Sequence, residues 1–322
     1  MIETEGLTKR FASKSGPVEA VRGLDLRIDP GELVAFLGPN GAGKATTLRM
    51  LATLLRPTSG RATVAGVDVV ADPAGVRRRI GYIGQGNGAG HHFRVRDELV
   101  TQGRCYGLSS ARPRARADVL LAALELEGLA GRVVGTLSGG QRRRLDLAIG
   151  LMHEPPVLFL DEPTAGLDPH HRANLWEHVG ALRASSETTV VLTTHYLEEA
   201  DTIAERVLVI SHGSLIADDT PERLKRELAG DRIRIEVPAG AAARARDLVE
   251  PHASAVDVTS DGTRAFVTMI VVDGGARLPQ VLHDLSTSGV TVASVRLDQP
   301  TLDDVFLGLT GRSLREEPAV AA

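Results

Sequence analysis

Residues 33–44 read Leu33-Val34-Ala35-Phe36-Leu37-Gly38-Pro39-Asn40-Gly41-Ala42-Gly43-Lys44, an apolar run that leads into a glycine-rich loop. The run predicts a buried strand, and the residues after Lys44 open a helix. In this context the glycines let backbone N–H groups turn toward a phosphate, the helix N-terminus adds positive potential, and the lysine adds a full charge. The stretch therefore predicts a triphosphate-binding loop. A glycine-rich turn without a ligand is the alternative, and it fits the strand, spacing and lysine less well.

The residue after this lysine departs from the usual pattern of a phosphate loop. Ala45 stands where a Ser or Thr hydroxyl normally coordinates Mg²⁺. Thr46 and Thr47 carry hydroxyls, but the helical rotation of about 100° per residue points them elsewhere. We therefore expect all three residues to lie at the nucleotide, with one metal ligand missing.

A second apolar strand, Val157–Leu160, ends in the acids Asp161 and Glu162. Carboxylates that follow a buried parallel strand lie at the edge of the sheet where ligands bind. Asp161 is expected to hold Mg²⁺, usually through water, and Glu162 to polarise an attacking water, because phosphoryl transfer mainly requires positioning and charge neutralisation. The alternative is that the two acids only cap the next helix.

The distribution of apolar runs predicts an α/β fold. Short runs alternate with helical stretches and comprise Glu32–Leu37, Val157–Leu160, Val190–Thr194 and Val207–Ile210. This alternation predicts a largely parallel sheet with crossover helices. Val18–Ile28 alternates apolar and polar residues, which predicts an N-terminal antiparallel β subdomain. Strand signals stop between about residues 94 and 136, where Ala117–Leu129 has helical spacing, so we expect an inserted helical subdomain.

We place a domain boundary after the helix-like segment Pro221–Leu228. Residues 1–229 are predicted to form the main domain, residues 230–315 a small C-terminal α+β domain with a regulatory or dimerisation role, and residues 316–322 a frayed tail. The pattern of the small domain comprises strands at Ile233–Val237, Ala265–Val272 and Val290–Leu297 and a helix at Leu278–Leu285. It contains no phosphate loop, so we expect it to take no part in chemistry.

Composition limits the classes of function. The 322 residues are 43% hydrophobic, and 37 Lys plus Arg face 41 Asp plus Glu, which gives a formal charge of −4. That balance provides no basic field for nucleic acid, so we expect no nucleic-acid partner. The apolar runs are far shorter than the roughly 20 residues that span a bilayer, and the acidic start is unlike a secretory signal. We therefore expect membrane association only through a partner.

Cysteine and histidine usage points to no metal cluster. Cys105 is the only cysteine, which excludes an internal disulfide and fits a reducing cytoplasm. We expect a buried or half-buried, inert thiol. The histidines expected at the surface are His91, His92, His170 and His171.

A second glycine-containing helix start makes a family resemblance specific. Leu137 precedes Ser138-Gly139-Gly140-Gln141, which is followed by Arg142-Arg143-Arg144-Leu145-Asp146. The segment resembles the signature motif of ATP-binding cassette (ABC) proteins, whose Ser hydroxyl and backbone N–H groups bind the γ-phosphate held by the partner chain. The resemblance implies an ABC-type P-loop NTPase fold, ATP and Mg²⁺ as cofactors, and a homodimer. For the three arginines we favour a solvated helix face.

Further residues match the ABC pattern in the family's order. Gln85 follows Ile80–Gly84, Asp168 ends Ala165-Gly166-Leu167-Asp168, and His195 follows Thr193-Thr194. By resemblance, Gln85 is a sensor that also binds the metal, Asp168 lies in a loop at the dimer interface, and His195 contacts the γ-phosphate. A lone His at a strand end is more often structural, but the ordered set favours the phosphate role.

Phe11 occupies the position where this family stacks an aromatic ring on adenine. The alternative is an ordinary core aromatic of the N-terminal sheet, and we favour stacking.

Two longer segments narrow the resemblance. They are Thr193-Thr194-His195-Tyr196-Leu197-Glu198-Glu199-Ala200-Asp201 and Pro300-Thr301-Leu302-Asp303-Asp304-Val305-Phe306-Leu307-Gly308-Leu309-Thr310-Gly311-Arg312. Both are similar to the daunorubicin/doxorubicin-resistance ATP-binding family. The resemblance implies an ATPase that powers efflux of a hydrophobic drug or antibiotic through a separate integral membrane permease, at the cytoplasmic face of the cell membrane.

Three alternatives stay open. Related subunits export lipids or polysaccharides, and the cargo is not encoded in this chain. The missing hydroxyl at Ala45 fits an ATP-binding regulatory or assembly subunit with weak hydrolysis. A nucleic-acid-associated ATPase is less consistent with the absence of a basic stripe and with the short gap from Gln85 to Ser138.

Overall fold

The computed structural model describes residues 1–13, 16–86, 88–109 and 111–310. The chain forms two compact units, Met1–Asp218 and Asp219–Ala322, and each is described on its own. The tail predicted at residues 316–322 lies outside the described residues. In the described part of the chain, no helix combines the length and the apolar character needed to cross a membrane.

The strands of the first unit build an antiparallel sheet and a larger, mainly parallel sheet. They are β1 (Ile2–Phe11), β2 (Val18–Ile28), β3 (Leu33–Leu37), β4 (Ser59–Val64), β5 (Val67–Asp68), β6 (Ile80–Ile83), β7 (Val157–Asp161), β8 (Thr189–Thr194), β9 (Arg206–Ser211) and β10 (Ser214–Asp219). Over the described residues, the strand orders are β2-β1-β4-β5 and β10-β9-β3-β8-β7-β6.

The antiparallel sheet confirms the interpretation of the alternating segment. β2 pairs antiparallel with β1, with Ile28 opposite Ile2. Leu24, Leu26 and Ile28 are buried while the residues between them are exposed. The buried residues join Phe36 and other side chains of the parallel sheet in one core, so the two sheets pack together.

The parallel sheet follows the predicted apolar runs. β3 pairs in parallel with β8 and β9, and β7 with β6 and β8. Every residue of β3, β7 and β8 is buried. Strands covered on both faces have continuous apolar sequences, which explains why these runs were visible in the sequence.

Helices flank and interrupt this sheet. They are α1 (Lys44–Leu51), α2 (Pro73–Arg77), α3 (Val95–Cys105), α4 (Arg112–Ala123), α5 (Gly139–Leu151), α6 (Pro169–Ser186) and α7 (Leu197–Ile203), with 3₁₀ turns at Glu127–Leu129 and Val134–Thr136. The inserted helical subdomain between β6 and β7 is confirmed, but the helix predicted at Ala117–Leu129 has the wrong bounds. α4 starts earlier, with Pro113 in its first turn, and stops before Glu125, whose φ is +53°.

The second unit contains a β-α-β-β-α-β arrangement. Its elements are α8 (Pro221–Leu224), a π-helical turn (Lys225–Ala229), β11 (Asp231–Pro238), α9 (Ala242–Val249), β12 (Ala255–Ser260), β13 (Arg264–Val271), α10 (Gly274–Thr287), β14 (Ser294–Asp298) and α11 (Leu302–Thr310), with a 3₁₀ turn on each side of α9 at Ala239–Ala241 and Glu250–His252. The described strands pair antiparallel in the order β12-β13-β11-β14. α9 and α10 cover one face of this sheet and give the unit a core of its own.

Several expected bounds in this unit are wrong. The strand predicted at Val290–Leu297 begins at Ser294, because Val290 packs into the core before the strand starts. β12 was missed because it is an edge strand whose residues are exposed or half-buried. The division between the units precedes the boundary predicted at residues 229 and 230, because α8 and the π-helical turn contact α11.

Candidate active site

Four predicted site elements follow four neighbouring parallel strands. The glycine-rich loop follows β3, His195 follows β8, Glu162 follows β7 and Gln85 lies beyond β6. These strands are adjacent in the order β3-β8-β7-β6, and the carboxyl ends of parallel strands meet at one edge. The structure therefore brings these elements to one edge of the sheet.

The glycine-rich loop depends on backbone that other residues cannot adopt. Gly38 and Gly43 have φ values of +153° and +105°. A Cβ atom at Gly38 would collide with the carbonyl oxygen of Ile210, and one at Gly43 with that of Ala20. Gly213 anchors the loop from outside by donating to the Ala42 carbonyl at 2.9 Å. Glycine is thus required at both positions.

Lys44 lies folded against its own loop. Its side chain is 5% exposed, and Nζ donates to the carbonyl oxygens of Gly38 at 2.6 Å and Pro39 at 2.9 Å. The loop is closed further by a bond from the Ala42 N–H to Pro39 at 3.1 Å. A phosphate anion can replace these neutral acceptors with a charge-assisted bond to the lysine.

The first turn of α1 lacks the hydroxyl at Ala45 and has no substitute at Thr47. The Thr47 hydroxyl is buried and donates to the Gly43 carbonyl at 2.9 Å. Ala45 and Thr46 are half-buried. The Thr47 bond agrees with the expectation that this residue does not replace the missing ligand.

Asp161 is completely buried and is held by three side chains that the sequence did not single out for this role. Its Oδ1 accepts the Thr193 hydroxyl at 2.8 Å, and its Oδ2 accepts the Tyr82 hydroxyl at 3.2 Å. The Arg49 guanidinium lies 3.7 Å from Oδ2. A buried carboxylate requires such partners, so its orientation is fixed.

The described side chains at this edge of the sheet offer few ligands for Mg²⁺. Across the described residues, no group of three or more His, Cys, Asp or Glu side chains could hold a metal ion. Mg²⁺ usually keeps waters and substrate phosphates and takes only one or two protein ligands. An ion held mainly by nucleotide oxygens stays a prediction, with Gln85 and Asp161 as the expected protein ligands and no hydroxyl at Ala45.

Glu162 has a strained backbone and a polarised side chain. Its φ is +48°, and its N–H donates to the Thr193 carbonyl at 3.2 Å and the Thr193 hydroxyl at 3.0 Å. His195, whose Nδ1 lies 3.6 Å from the carboxylate, lowers the pKa of Glu162, and Lys44 also lowers it, while burial opposes the shift. The carboxylate is therefore an ionised acceptor, and its strain is of the kind that clusters at functional sites.

The Ser138–Gln141 segment begins α5 with a capping box. The Ser138 hydroxyl accepts from the Gln141 N–H at 3.3 Å, and the Gln141 side chain accepts from the Ser138 N–H at 3.0 Å. Gly140 lies against the ring of His171, because a Cβ atom there would be 2.6 Å from that ring. The helix start is therefore rigid and close to α6.

Asp168 begins α6. It accepts from the His171 N–H at 3.0 Å and pairs with His171 Nδ1 at 2.6 Å, and these bonds lower its pKa. The structure thus places Asp168 and the Ser138–Gln141 segment on either side of His171. Both belong to helix starts and not to the row of strand ends.

The exposure of single side chains confirms some predictions and contradicts others. The solvated face is wrong for Arg143, which is buried and bonds to the backbone of two loops. The buried or half-buried thiol is wrong, because Cys105 is exposed. Phe11 is 40% exposed, with Lys9 Nζ 5.2 Å from its ring centre, so the core-aromatic alternative is wrong. His91, His92, His170 and His171 are exposed as expected.

Comparison with protein families covers both units. The family described as ABC transporter matches residues 21–165, and the family described as ATP-binding protein DrrA1-3-like, C-terminal domain, matches residues 220–310. Similar proteins include daunorubicin resistance ATP-binding protein DrrA2 of Streptomyces coeruleorubidus, 44% identical over 100% of this chain and 98% of the relative. Daunorubicin/doxorubicin resistance ATP-binding protein DrrA of Streptomyces peucetius is 43% identical over 96% of this chain and 92% of its own length.

Solved structures share the fold of the first unit. A dimeric ATP-binding cassette, MJ0796, in a post-hydrolysis state with ADP and Pi, matches with a TM-score of 0.63 and 26% identity, over 68% of this chain and 98% of that chain. CbiO1 of Clostridium perfringens, part of an ABC transporter complex, matches with a TM-score of 0.64 and 28% identity, over 70% of this chain and 90% of its own. With both family matches and relatives of this identity along its length, the chain belongs to the daunorubicin/doxorubicin-resistance ATP-binding proteins of the ABC family and is an ATPase of that type.

Proposed function

We propose that this chain hydrolyses ATP to power efflux of a hydrophobic drug or antibiotic through a separate membrane permease, at the cytoplasmic face of the cell membrane. The observation that carries the proposal is the similarity to drug-resistance ATP-binding proteins through both units, and not only through the shared cassette.

The residues of the strand edge divide the work of hydrolysis. Gly38–Lys44 with Ala45, Thr46 and Thr47 hold the phosphates, and Lys44 exchanges its loop carbonyls for phosphate oxygens. Glu162, kept ionised, orients the attacking water, and His195 donates to the γ-phosphate. Gln85 and Asp161 would hold Mg²⁺, which would supply charge neutralisation at the phosphates when bound. Phe11 offers its exposed face to adenine.

The second helix start needs a second chain. Ser138, Gly139, Gly140, Gln141 and Asp168 lie on α5 and α6 and not in the row of strand ends. A helix N-terminus binds anions through its free N–H groups, so this segment serves the phosphate held by another copy. The dimeric cassettes among the similar structures support a homodimer.

The membrane permease is proposed to dock near Gln85 and the helical subdomain at about residues 94–136. Phe93 and Val133 are exposed apolar side chains in this region. The backbone of Val133 pairs with that of Arg94, the residue after Phe93. Cross-linkers placed at Arg94 or Arg96, both exposed, are expected to capture the permease. Capture only through residues after 230 would contradict this surface.

The small domain is proposed to stabilise or regulate the homodimer, with residues 1–229 as the nucleotide-binding domain and 230–315 as the regulatory part. Its core is separate from that of the first unit. A chain ending at Asp218, where the first unit ends, is expected to bind ATP within about threefold of the full chain, because domains with their own cores fold independently. Loss of binding by a folded truncation would overturn this division.

Two alternatives have an observation in their favour. Ala45 favours a regulatory or assembly subunit with weak hydrolysis, which steady-state ATPase measurements with Mg²⁺ would reveal. Nod factor export ATP-binding protein I of Rhizobium sp. (strain N33) is 36% identical over 98% of this chain, which favours a cargo other than a drug, such as a lipid or polysaccharide, as the second alternative.

The deciding experiment is copurification of the chain with a membrane permease from the same cells, followed by ATPase measurements with hydrophobic drugs and with lipo-oligosaccharides. Drug-stimulated hydrolysis by the complex is expected. Stimulation by lipo-oligosaccharides alone would favour the other cargo, and a complex with no stimulated hydrolysis would favour the regulatory subunit.

A further inference from the structure

Helix α5 packs directly on the strand that leads to Gln85. Gly81 on β6 and Gly150 on α5 make this contact, since a Cβ atom at Gly81 would collide with the Gly150 carbonyl oxygen. The same helix begins at the Ser138–Gln141 segment. One helix thus joins that segment to the strand before Gln85.

The loop that contains Gln85, called the Gln85 loop, comprises Gly84–Gly86, Gly88 and Ala89 among the described residues. Asp146, in the middle of α5, holds its far side, which follows Gln85. Its side chain is 4% exposed, and Oδ1 accepts from the Gly88 N–H at 2.9 Å. The Ala89 N–H also acts on this carboxylate by lowering its pKa, while Oδ2 has no hydrogen-bond partner among the described residues. Burial raises the pKa of Asp146, and these backbone donors oppose the rise. The acid is committed to the loop backbone.

Arg143, one turn earlier, holds the near side of the loop. Its side chain is 10% exposed, and Nη1 donates to the Gly84 carbonyl at 2.8 Å. Its Nε donates to the Pro163 carbonyl at 2.6 Å, directly after Glu162. Nη1 also lies 4.0 Å from Asp146 Oδ2. One guanidinium therefore joins both loops to α5.

A purely stabilising role explains this pair poorly. Burying an ion pair carries a desolvation cost that can exceed the attraction between the charges, so such a pair is weak evidence for stability. Here the close hydrogen bonds go to backbone atoms on both sides of Gln85 and beside Glu162, and not between the two side chains. The geometry suits two loops that must keep fixed positions relative to the start of α5.

We propose that Arg143 and Asp146 are positioning residues for ATP hydrolysis, which clamp the Gln85 loop and the segment after Glu162 to α5. The inference rests on the proposed role of Gln85. A permease that moves the Gln85 loop then also moves the Ser138–Gln141 segment and the backbone beside Glu162, because one rigid helix holds all three.

The first test compares turnover with ATP affinity. Arg143→Met is expected to lower kcat about 10- to 100-fold while the ATP Kd changes less than about threefold, since small misplacements of site groups mainly affect the chemical step. Arg143→Lys, which keeps the charge but not the fork, is expected to be intermediate. Asp146→Ala is expected to speed hydrogen exchange at the Gly88 amide, and Asp146→Asn, which keeps an acceptor, to recover most of the turnover.

The second test is non-additivity with Gln85. In a Gln85→Ala background, Asp146→Ala is expected to lower kcat by less than about twofold further. Within the described part of the chain, Asp146 hydrogen-bonds only to the loop that contains Gln85, and residues that act through one group do not add. Arg143→Met also acts beside Glu162, so its loss is measured in the parent chain. Arg144→Met is the matched control, since its guanidinium bonds to Glu125 and Asn174. The control is expected to keep turnover within about twofold of the parent chain.

Three outcomes would overturn the clamp. They are unchanged kcat in both folded Arg143 variants, additive losses of Asp146→Ala and Gln85→Ala, or equal losses in Asp146→Asn and Asp146→Ala. If Gln85→Ala alone leaves turnover unchanged, the proposed assignment of Gln85 fails and the clamp with it. If Gln85→Ala lowers turnover and the Asp146→Ala loss adds to it, the clamp alone fails.

Discussion

The glycine-rich loop and the acidic end of β7 lie on the same edge of the sheet but are built in different ways. In the loop, Gly38 and Gly43 adopt backbone that a Cβ atom would block, and Lys44 bonds to carbonyls of its own loop. At the end of β7, Asp161 and Glu162 are held by side chains and backbone from β6, α1 and β8.

This difference separates affinity from turnover. A backbone cradle and a lysine bind phosphate charge whether or not the reaction proceeds. The carboxylates are oriented by side chains that are distant in sequence. They act on the attacking water and on developing charge, and these interactions matter mainly in the transition state. Changes at the acidic end should therefore lower kcat and leave ATP affinity nearly intact.

Glu162→Gln gives the largest expected effect. The amide keeps the shape but loses the carboxylate that orients water, so kcat is expected to fall about 10²- to 10⁴-fold. The ATP Kd, measured by calorimetry on the same protein, is expected to stay within about threefold. Undiminished hydrolysis would remove Glu162 from its proposed role.

Ala45→Ser is expected to raise activity. The serine completes the ligands of Mg²⁺, and about 1–3 kcal/mol for a charge-assisted contact corresponds to a rate increase of about 5- to 150-fold. ATPase rates measured against free Mg²⁺ should show a higher maximum, a lower requirement, or both. No change in either quantity would mean that the chain holds its metal by another route.

Thr193→Val tests the support of the acid pair. The hydroxyl donates to Asp161 Oδ1 and accepts from the Glu162 N–H, so its loss removes the donor to Oδ1 and one of the two acceptors of that N–H. At about 1–2 kcal/mol, turnover is expected to fall about 5- to 30-fold, with a small decrease in Tm. Thr193→Ser keeps the hydroxyl and serves as the control. Equal losses in both variants would point to packing instead.

His195→Ala is expected to shift the pH profile of ATP hydrolysis. Because His195 lowers the pKa of Glu162, the carboxylate stays ionised as the pH falls, and its contribution is lost only below the depressed pKa. Without His195 that pKa rises, so the acid limb of kcat/KM should move to higher pH. His283→Ala, at an exposed position of the second unit, should leave the limb in place. An unshifted limb in His195→Ala would contradict the coupling.

The same difference explains what the sequence could predict. Gly38–Lys44, the buried parallel strands and the acids after β7 were predicted, because each signal is local in sequence. The support of Asp161 by Arg49 and Tyr82 was missed, since their contact with it depends on the order of strands and helices. The solvated face predicted for Arg143 is wrong, because a run of three arginines does not show which one points inward. The acid Asp146, three residues later and between apolar residues, was the signal that could have indicated a buried partner for Arg143.

The most direct measurement is the mass of Glu162→Gln by light scattering on a size-exclusion column, with and without ATP. A site completed by a second chain, with turnover blocked, predicts a monomer of 34.2 kDa without nucleotide and a dimer of twice that mass with ATP. A protein that binds ATP with normal affinity yet keeps the same mass with and without it would contradict the shared ATP site.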